Sequence, residues 1–154
     1  MAEYQLEETD FMTVKEYWSR YLWPERKSAI EEVSWVDRNG EINSEMQKAK
    51  SYFWCIKDIT TNNILGVISG TDAGALGFRS RGIWVHESYR HLGLGKQLIE
   101  AVIKKASLLG HKSIWTMPRN TALRFYEKVG FKEKKMIEGF EFGPHHIAEY
   151  EIKD

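Results

Sequence analysis

The stretch YRHLGLGKQ, residues 89–97, joins the apolar run GIWV at 82–85 to a run of apolar residues with a helical period that begins at Leu98. A strand that turns tightly into a helix leaves the first helical N–H groups without acceptors, at the positive end of the helix dipole. Gly93 and Gly95 carry no Cβ, so a bulky anion could approach the main chain closely. The stretch therefore predicts an anion-binding turn, with phosphate as the expected ligand.

The composition is that of one globular domain. With 154 residues, of which 42% are apolar and 29% charged, the chain is long enough for one well-packed core, and we expect a single domain over residues 1–154. Lys and Arg together number 22, as do Asp and Glu, so no overall field gathers nucleic acid or an anionic membrane. Neither is expected as a partner, and any anion site must be local.

The cysteine content and the N-terminal residues bear on location. The single cysteine, Cys55, lies inside the apolar run YFWCI and is expected to be a buried thiol in a reducing compartment. The N-terminal MAEYQLEETD is acidic and mixed, and no apolar run approaches the ~20 residues of a membrane span. The sequence therefore predicts a cytoplasmic protein without a membrane segment.

The N-terminal third predicts a strand and two short helices. In EYQLEE at 3–8, apolar and polar residues alternate enough to predict a first strand. Thr13 and Glu16 have the spacing of a capping box, which predicts a helix start. This helix keeps an apolar face at four-residue spacing, made of Val14, Trp18 and Leu22. A second short helix is expected through Ile30 and Val33.

The middle of the chain predicts β structure. VDRNGE at 36–41 is expected to turn because Asn-Gly suits positive backbone dihedral angles, and residues 43–50 form either a helical turn or a loop. The following segments are apolar, β-branched and aromatic, which is typical of strands. Three strands are expected, with a hairpin between the first two: 52–59, 64–70 and 78–85.

The C-terminal half predicts two helices and three strands. The first helix ends at Gly110 as its C-terminal cap, and its apolar stripe is made of Leu98, Ile99, Val102, Ile103, Ala106 and Leu109. A strand at 113–117 leads to a second helix, with Asn120 as N-cap and Gly130 as its stop. Two closing strands follow, at 134–142 and 146–152.

Two common phosphate-binding motifs do not fit the glycine turn. A P-loop needs glycine at position 90 and Ser or Thr at position 97, where the chain has Arg90 and Gln97. A dinucleotide fingerprint that starts at Gly93 needs Gly or Ala where Leu98 stands. It also needs an acidic residue about 20 positions later, which this chain lacks. Both motifs are excluded.

A third pattern fits the same residues. Arg90-His91-Leu92-Gly93-Leu94-Gly95 follows a strand and has the form Arg/Gln-x-x-Gly-x-Gly/Ala. It resembles the coenzyme A loop of the GNAT superfamily, the acyl-CoA-dependent N-acyltransferases. NTALRFYEKVGF at 120–131 resembles the family's second conserved segment, through Asn120, Ala122, Tyr126, Gly130 and Phe131. The resemblance covers roughly residues 83–131, while the first 50 residues carry no recognisable family motif.

The resemblance implies a GNAT-like α/β fold, a mixed and mostly antiparallel sheet flanked by helices on both faces. It also implies acetyl-CoA as cosubstrate, held where the strand before the loop parts from the next strand, SIWTM. By similarity, backbone groups on the strand would bind the pantetheine arm, and the loop would cradle the pyrophosphate. The cofactor-binding residues implied in this way are Ile83, Val85, Arg90, His91, Leu92, Gly93, Leu94, Gly95, Lys96 and Asn120.

Tyr126 is the catalytic residue that the resemblance implies. An amine attacks a thioester, giving an oxyanion that a backbone N–H near Val85 could stabilise, and the coenzyme A thiolate then leaves. Protonation of a thiolate of pKa ~8.5 by a tyrosine of pKa ~10 is uphill by roughly 2 kcal/mol. Tyr126 is therefore expected to act mainly as a hydrogen-bond donor to the departing sulfur.

The amine also needs a proton acceptor, because a lysine-like amine of pKa ~10.4 is almost entirely protonated at pH 7. Many family members carry Glu or His nine or eleven residues before the loop's first residue, but this chain has Arg81 and Arg79 there. Neither arginine can accept a proton. A water chain or a carboxylate from elsewhere remains, with Glu31, Glu32 and Asp72 as candidates.

Arg79 and Arg81 bear on the substrate instead. If they face the acceptor cleft, they favour an acceptor with a carboxylate or phosphate, through bidentate pairing. The alternatives are that they face solvent or steer the cofactor. The neighbours His145 and His146 on a strand would point to opposite faces and lack a ligating partner, so no metal is expected.

The sequence thus predicts an N-acetyltransferase that moves the acetyl group of acetyl-CoA to a primary amine of a small molecule or peptide. Two other functions on the same fold remain: a non-catalytic acyl-CoA-binding module, which the missing strand base favours, and a protein-interaction adapter. A sheet edge near the C-terminus could pair with a second copy to form a homodimer.

Overall fold

The computed structural model describes residues 3–139 and 144–153. Among these residues, seven strands form one sheet: β1 Tyr4–Thr9, β2 Lys50–Asp58, β3 Ile64–Asp72, β4 Phe78–Val85, β5 Ser113–Thr116, β6 Lys132–Ile137 and β7 His145–Glu151. The α-helices are α1 Phe11–Tyr17, α2 Leu94–Leu108 and α3 Asn120–Val129. A turn of π-helix, Trp18–Leu22, extends α1, and turns of 3-10 helix lie at Ser44–Lys48, Gly74–Leu76 and Glu87–Tyr89.

The sheet is mixed but mostly antiparallel. Its strand order is β1-β2-β3-β4-β5-β7-β6, and β4 and β5 are a parallel pair among antiparallel neighbours. A parallel pair needs a crossover connection, which α2 supplies between the end of β4 and the start of β5. Helices cover both faces of the sheet, and the predicted fold class is confirmed.

The two faces of the sheet carry separate cores. On one face α2 and α3 pack against the strands, where Leu98 and Val102 of α2 and Phe78 of β4 belong to one buried apolar cluster. On the other face α1 and the π-helical turn pack, with Val14 and Trp18 fully buried. The apolar stripes predicted for α1 and α2 are therefore the surfaces that these helices turn toward the sheet. Leu109 is the exception, because it is exposed and lies just past the end of α2.

The first helix begins earlier than predicted, and the capping box at Thr13 is wrong. The N-cap is Asp10, whose side chain accepts a hydrogen bond from Thr13 N at 2.9 Å. Glu16 does not reach back to the helix start, because it pairs with Arg20 at 3.2 Å. Aspartate is among the strongest N-cap residues, so Asp10 takes the position.

The short second helix predicted through Ile30 and Val33 is wrong, since no helix forms there. Side chains from the sheet bind the carbonyls of this segment instead. Arg81 Nη1 donates to Glu31 O at 2.7 Å, and Ser51 Oγ donates to Glu32 O at 2.8 Å. Tertiary contacts thus hold the segment in an irregular conformation against β2 and β4.

The predicted turns in the middle of the chain are confirmed. Gly40 has a φ of +82°, and an isolated bridge between Val36 and Ile42 closes its turn. The hairpin between β2 and β3 contains Asn62 in the left-handed region, with a φ of +64°. The stretch predicted as either a helical turn or a loop contains a turn of 3-10 helix, Ser44–Lys48.

The C-terminal half follows the prediction with one difference. Gly110 and Gly130 have φ values of +90° and +119° and stop α2 and α3. Asn120, predicted as the N-cap of α3, is instead its first helical residue, and the cap is Arg119 without a side-chain hydrogen bond. Residues 140–142 of the first predicted closing strand lie outside the described residues.

Cys55 is buried, as predicted. Burial raises the pKa of its thiol to about 11, so the thiol is protonated at neutral pH. Within residues 3–139 and 144–153, no helix is both long and apolar enough to cross a membrane. The same residues contain no group of three or more His, Cys, Asp or Glu side chains arranged to hold a metal ion.

Candidate active site

β4 and β5 part in the middle of the sheet. Their parallel pairing covers Arg79 with Trp115 and Ser80 with Thr116. β5 ends at Thr116, while β4 continues to Val85. Among the described strands, none pairs with β4 on this side beyond Ser80. An unpaired strand edge is a template for an extended chain, so the gap can accept a strand-like ligand arm.

A β-bulge at Gly82 lies at the point where the strands part. The register between β3 and β4 shifts between Val67 and Ser69, and Gly82 has a φ of +72°, a conformation that favours glycine. The indole Nε1 of Trp18 donates a hydrogen bond to Gly82 O at 2.6 Å. The bulge is therefore held from the α1 face of the sheet.

Replacing Gly82 with alanine is expected to destabilise the protein by at least about 2 kcal/mol. The added Cβ would lie 2.3 Å from the Trp18 ring, at a backbone φ of +72°. The left-handed conformation alone disfavours an L-residue by about 1–2 kcal/mol. Urea unfolding measures the loss. Gly74→Ala is the matched control, because Gly74 has a φ of +58° and open space within 4 Å. Equal losses in the two variants would show that the Trp18 contact does not matter.

The peptide groups of Ile83 and Val85 point to the open side of β4. His86 N donates to Leu65 O on β3 at 2.7 Å, and alternate residues of a strand direct their peptide groups to opposite neighbours. Arg90 Nε donates to Val85 O at 3.0 Å, from the loop that follows β4. The two residues predicted to bind the pantetheine arm thus lie at the open edge, and Arg90 binds one of their carbonyls.

The loop after β4 ends in a left-handed residue that starts α2. Gly93 has a φ of +76° and is the N-cap, and a Cβ built on it meets no atom within 4 Å. Gln97 N donates to Gly93 O at 3.2 Å, which is the first hydrogen bond of the helix. The N–H groups of residues 94–96 therefore have no acceptor within the helix. These amides lie at the positive end of the α2 dipole.

The remaining loop residues divide into exposed and buried ones. Leu94 is buried in the core, so its main chain alone can contact a ligand. Gly95 lies against α3, since an added Cβ would meet the Phe125 ring at 3.1 Å. Gly95 therefore serves helix packing, a role that the loop pattern did not indicate. The exposed side chains are those of His91, Leu92 and Lys96.

Tyr126 of α3 is buried beside the last paired residues of β4 and β5. It is 2% exposed, and its ring packs against Phe131 at 5.0 Å between centroids. Burial raises the pKa of the phenol, while the hydroxyls of Ser80 and Thr116 and the charge of Arg79 oppose the rise. The phenol is therefore protonated at neutral pH.

A cavity of about 250 Å³ opens at the same point. Its wall comes from β4, from the segment after the π-helical turn and from the start of α3, and it includes Tyr126 and Ile83. Of the described residues that form the wall, none is aspartate or glutamate. Four arginines contribute to it: Arg26, Arg79, Arg81 and Arg119. The wall concentrates positive charge in a chain whose formal net charge is zero.

Arg81 does not face solvent. It is 4% exposed, and its Nη1 donates to the carbonyl of Glu31 at 2.7 Å. Its guanidinium lies 5.0 Å from the Trp18 ring and 5.3 Å from the Trp23 ring. Burial lowers its pKa, with the charges of other arginines acting in the same direction.

Arg79 is also buried, so the solvent-facing alternative is wrong for both arginines. It is 7% exposed, and its guanidinium lies 5.0 Å from the Trp115 ring. Among the described residues, its Nε and Nη1 find no hydrogen-bond acceptor. Burial lowers the pKa of Arg79 to about 10, and the side chain is therefore charged at neutral pH.

The three carboxylates considered as proton acceptors do not form part of the cavity wall. Glu31 and Glu32 contribute carbonyls to side chains of the sheet, and Asp72 pairs with His111 at 2.8 Å. The wall does contain His145, which the sequence suggested only as a rejected metal ligand. No local pattern could place it there, because the long-range pairing of β7 brings it to the cavity.

Asn120 belongs to a hydrogen-bond network beside the cavity. Its Oδ1 is bound by Nε2 of His146, and Nδ1 of His146 is bound to Glu133. The network ties the first residue of α3 to β6 and β7.

Known proteins share this architecture. A family model described as the acetyltransferase (GNAT) domain matches residues 49–133, which is more than half of the chain. No curated protein matches the sequence. A GNAT-family acetyltransferase from Staphylococcus aureus Mu50 is 17% identical and has a TM-score of 0.70, with 98% of this chain and 100% of that chain covered.

Two further solved structures have the same fold. Ard1 from Thermoplasma volcanium is 15% identical, with a TM-score of 0.71 and coverage of 98% of this chain and 99% of that chain. An aminoglycoside 6′-N-acetyltransferase solved with coenzyme A is 18% identical, with a TM-score of 0.70 and coverage of 97% and 98%. At these identities the similarity establishes the fold.

The parted central strands and the glycine turn before α2 belong to an α/β fold that known acetyltransferases share. The chain belongs to the GNAT family of acetyltransferases, as the family match establishes. The family predicted from the two sequence motifs is therefore confirmed.

Proposed function

We propose that this protein is an N-acetyltransferase that moves the acetyl group of acetyl-CoA to a primary amine of a small molecule or peptide. The observation that carries the proposal is the parting of β4 from β5, with the phenol of Tyr126 buried where they separate. Family membership supports acyl transfer, and one structural neighbour was solved with coenzyme A.

The residues around the gap fit coenzyme A. The open edge of β4 offers the peptide groups of Ile83 and Val85 to an extended arm, and the amides of residues 94–96 offer donors to a pyrophosphate. The open space beside Gly93, which a Cβ would enter, leaves room for the phosphates. When bound, acetyl-CoA supplies the thioester carbonyl that the amine attacks. Five further residues stay predictions as cofactor-binding residues: Arg90, His91, Leu92, Lys96 and Asn120.

The transfer forms a C–N bond and breaks a C–S bond, and the proton that the amine loses balances the proton that the thiolate gains. Tyr126 Oη acts as a donor to the departing sulfur. Because burial raises the pKa of the phenol above its ordinary value, the proton stays on Oη throughout the neutral range. A weaker acid is also a poorer source of a fully transferred proton, which favours hydrogen-bond donation.

The amine must lose a proton during the reaction, and the two arginines of β4 cannot accept it. Among the described wall residues, His145 carries an imidazole, a side chain whose neutral form can accept a proton. We assign His145 as the acceptor of the amine proton, directly or through water.

The test is release of free thiol from acetyl-CoA by the purified protein with a panel of small amines, amino acids and peptides. Thiol release that depends on the amine, with the acetylated product seen by mass spectrometry, is the expected result. Binding of coenzyme A by calorimetry without turnover of any amine would favour the non-catalytic acyl-CoA-binding module. Absence of both would favour the protein-interaction adapter.

Three features stay predictions from the sequence: a single domain over 1–154, a cytoplasmic location, and the absence of nucleic-acid and membrane partners. The homodimer also stays a prediction. β6 is an edge strand of the sheet and carries the sequence KEKK at 132–135. Lysines on an edge strand oppose its pairing with another strand. A dimer through this edge would therefore need contacts in addition to backbone hydrogen bonds between the two strands.

A further inference from the structure

The cavity wall holds a buried cation with unused hydrogen-bond donors. Arg79 is 7% exposed, and its Nε and Nη1 meet no acceptor among the described residues. Removing an ionised group from water without a partner is strongly unfavourable. The Trp115 ring at 5.0 Å attracts the positive charge, but a ring face leaves the in-plane N–H groups unsatisfied.

Arg81 gives an internal comparison. It lies two residues further along β4 and is also buried, but its Nη1 donates to Glu31 O at 2.7 Å. The protein itself thus supplies an acceptor for Arg81, whereas the two described donors of Arg79 have none. The acceptor for Arg79 must come from water or from a ligand.

The charge around Arg79 points to a ligand. The described wall contains no carboxylate, and Arg26 and Arg119 add further positive charge to it. Arg79 also lies close enough to Tyr126 for its charge to lower the pKa of that phenol. A negative group on Arg79 would therefore sit next to the residue assigned to the reaction. The volume of about 250 Å³ is below the roughly 300–1,000 Å³ of drug-sized sites, which fits a small molecule.

The phosphates of coenzyme A do not account for this cation. Arg79 is near the start of β4, and the phosphate-binding loop follows the end of the strand at Val85. At ~3.3 Å per residue, the strand separates the two points by roughly 20 Å. If Arg79 served only to steer coenzyme A, its hydrogen-bond donors would therefore remain unsatisfied.

We propose that the acceptor is a small amine that also carries an anionic group, a carboxylate or a phosphate, and that this group pairs with Arg79. The inference rests on the proposed acetyltransferase function and names the class of its acceptor. The planar guanidinium binds both anions through paired N–H donors. Fixing the anion would orient the amine at the far end of the molecule toward the thioester.

Matched amines test the proposal without any mutation. β-Alanine and other amino acids are compared with their amides, and phosphoethanolamine with ethanolamine, by thiol release at saturating acetyl-CoA. The anionic member of a pair is expected to exceed its neutral partner in kcat/KM by about tenfold or more. The two kinds of pair distinguish carboxylate from phosphate. Neutral amines that match or exceed their anionic partners throughout would overturn the proposal.

Arg79→Gln is expected to bring the ratio of kcat/KM between anionic and neutral amines close to one. Arg79→Lys keeps a charge in the buried site and is expected to retain part of the preference for anionic amines. Arg20→Gln is the control, because the Arg20 side chain is 59% exposed and pairs with Glu16 away from the cavity. An unchanged ratio in Arg79→Gln would contradict the assignment.

A binding measurement separates this inference from the proposed function. With coenzyme A saturating, succinate is expected to raise the Tm of the wild-type protein and not that of Arg79→Gln. Stabilisation by succinate without turnover of any amine would support the anion site and refute the acetyltransferase. Turnover of neutral amines with no effect of succinate would support the acetyltransferase and refute the anion site.

Discussion

Replacing Tyr126 with phenylalanine is expected to lower kcat for acyl transfer by about 100-fold or more, with the affinity for coenzyme A nearly unchanged. The change removes one oxygen, the donor that we place against the departing sulfur. The ring itself stays packed against Phe131, so the Tm should change little. Steady-state thiol release measures kcat, and calorimetry measures the affinity.

Tyr150→Phe is the matched control for this experiment. Tyr150 also packs against Phe131, at 5.4 Å between ring centroids, but it does not belong to the cavity wall described above. Its phenol oxygen should be dispensable for turnover. An unchanged kcat in Tyr126→Phe would remove the catalytic role, and equal losses in both variants would assign the effect to packing.

Replacing Gly93 with valine is expected to abolish the thermal stabilisation that acetyl-CoA gives to the protein. The wild-type protein at a ligand concentration about 100 times Kd should gain about 2.7 kcal/mol. In the variant, the side chain would fill the open space beside the first amides of α2 and would force a β-branched residue into a φ of +76°. Thermal unfolding with and without acetyl-CoA measures the effect.

Gly110→Val controls for the backbone strain. Gly110 lies at the other end of α2 with a φ of +90°, and a Cβ there also meets no atom within 4 Å. This variant should lose comparable stability without ligand and keep the full response to acetyl-CoA. If the strain of valine at position 93 prevents folding, Gly93→Ala places a smaller group in the same space. A full acetyl-CoA response in folded Gly93 variants would contradict phosphate binding at this turn.

The local sequence was enough to predict helices and strands whose apolar residues recur with the period of that secondary structure. The apolar stripe of α2 apart from Leu109, the strand at 78–85 and the glycines that stop α2 and α3 have the predicted roles. The helix predicted through Ile30 and Val33 failed because long-range partners decide that segment. Arg81 binds the carbonyl of Glu31 across 50 residues of sequence, and no local signal reports such a contact.

The candidate site was predictable in its cofactor half and not in its acceptor half. The glycine turn is contiguous in sequence, so its geometry follows from a few neighbouring residues. The sequence placed Arg79 and Arg81 on a strand, but their burial depends on the cover supplied by residues 23–36. The bulge at Gly82 similarly depends on Trp18, 64 positions away.

A crystal structure of the protein with coenzyme A tests the central claim most directly, because it shows where the phosphates and the pantetheine arm lie. The account predicts the pyrophosphate on the amides of residues 94–96 and the arm along Ile83 and Val85, between the parted strands. Coenzyme A bound elsewhere, with the gap between β4 and β5 empty, would contradict it.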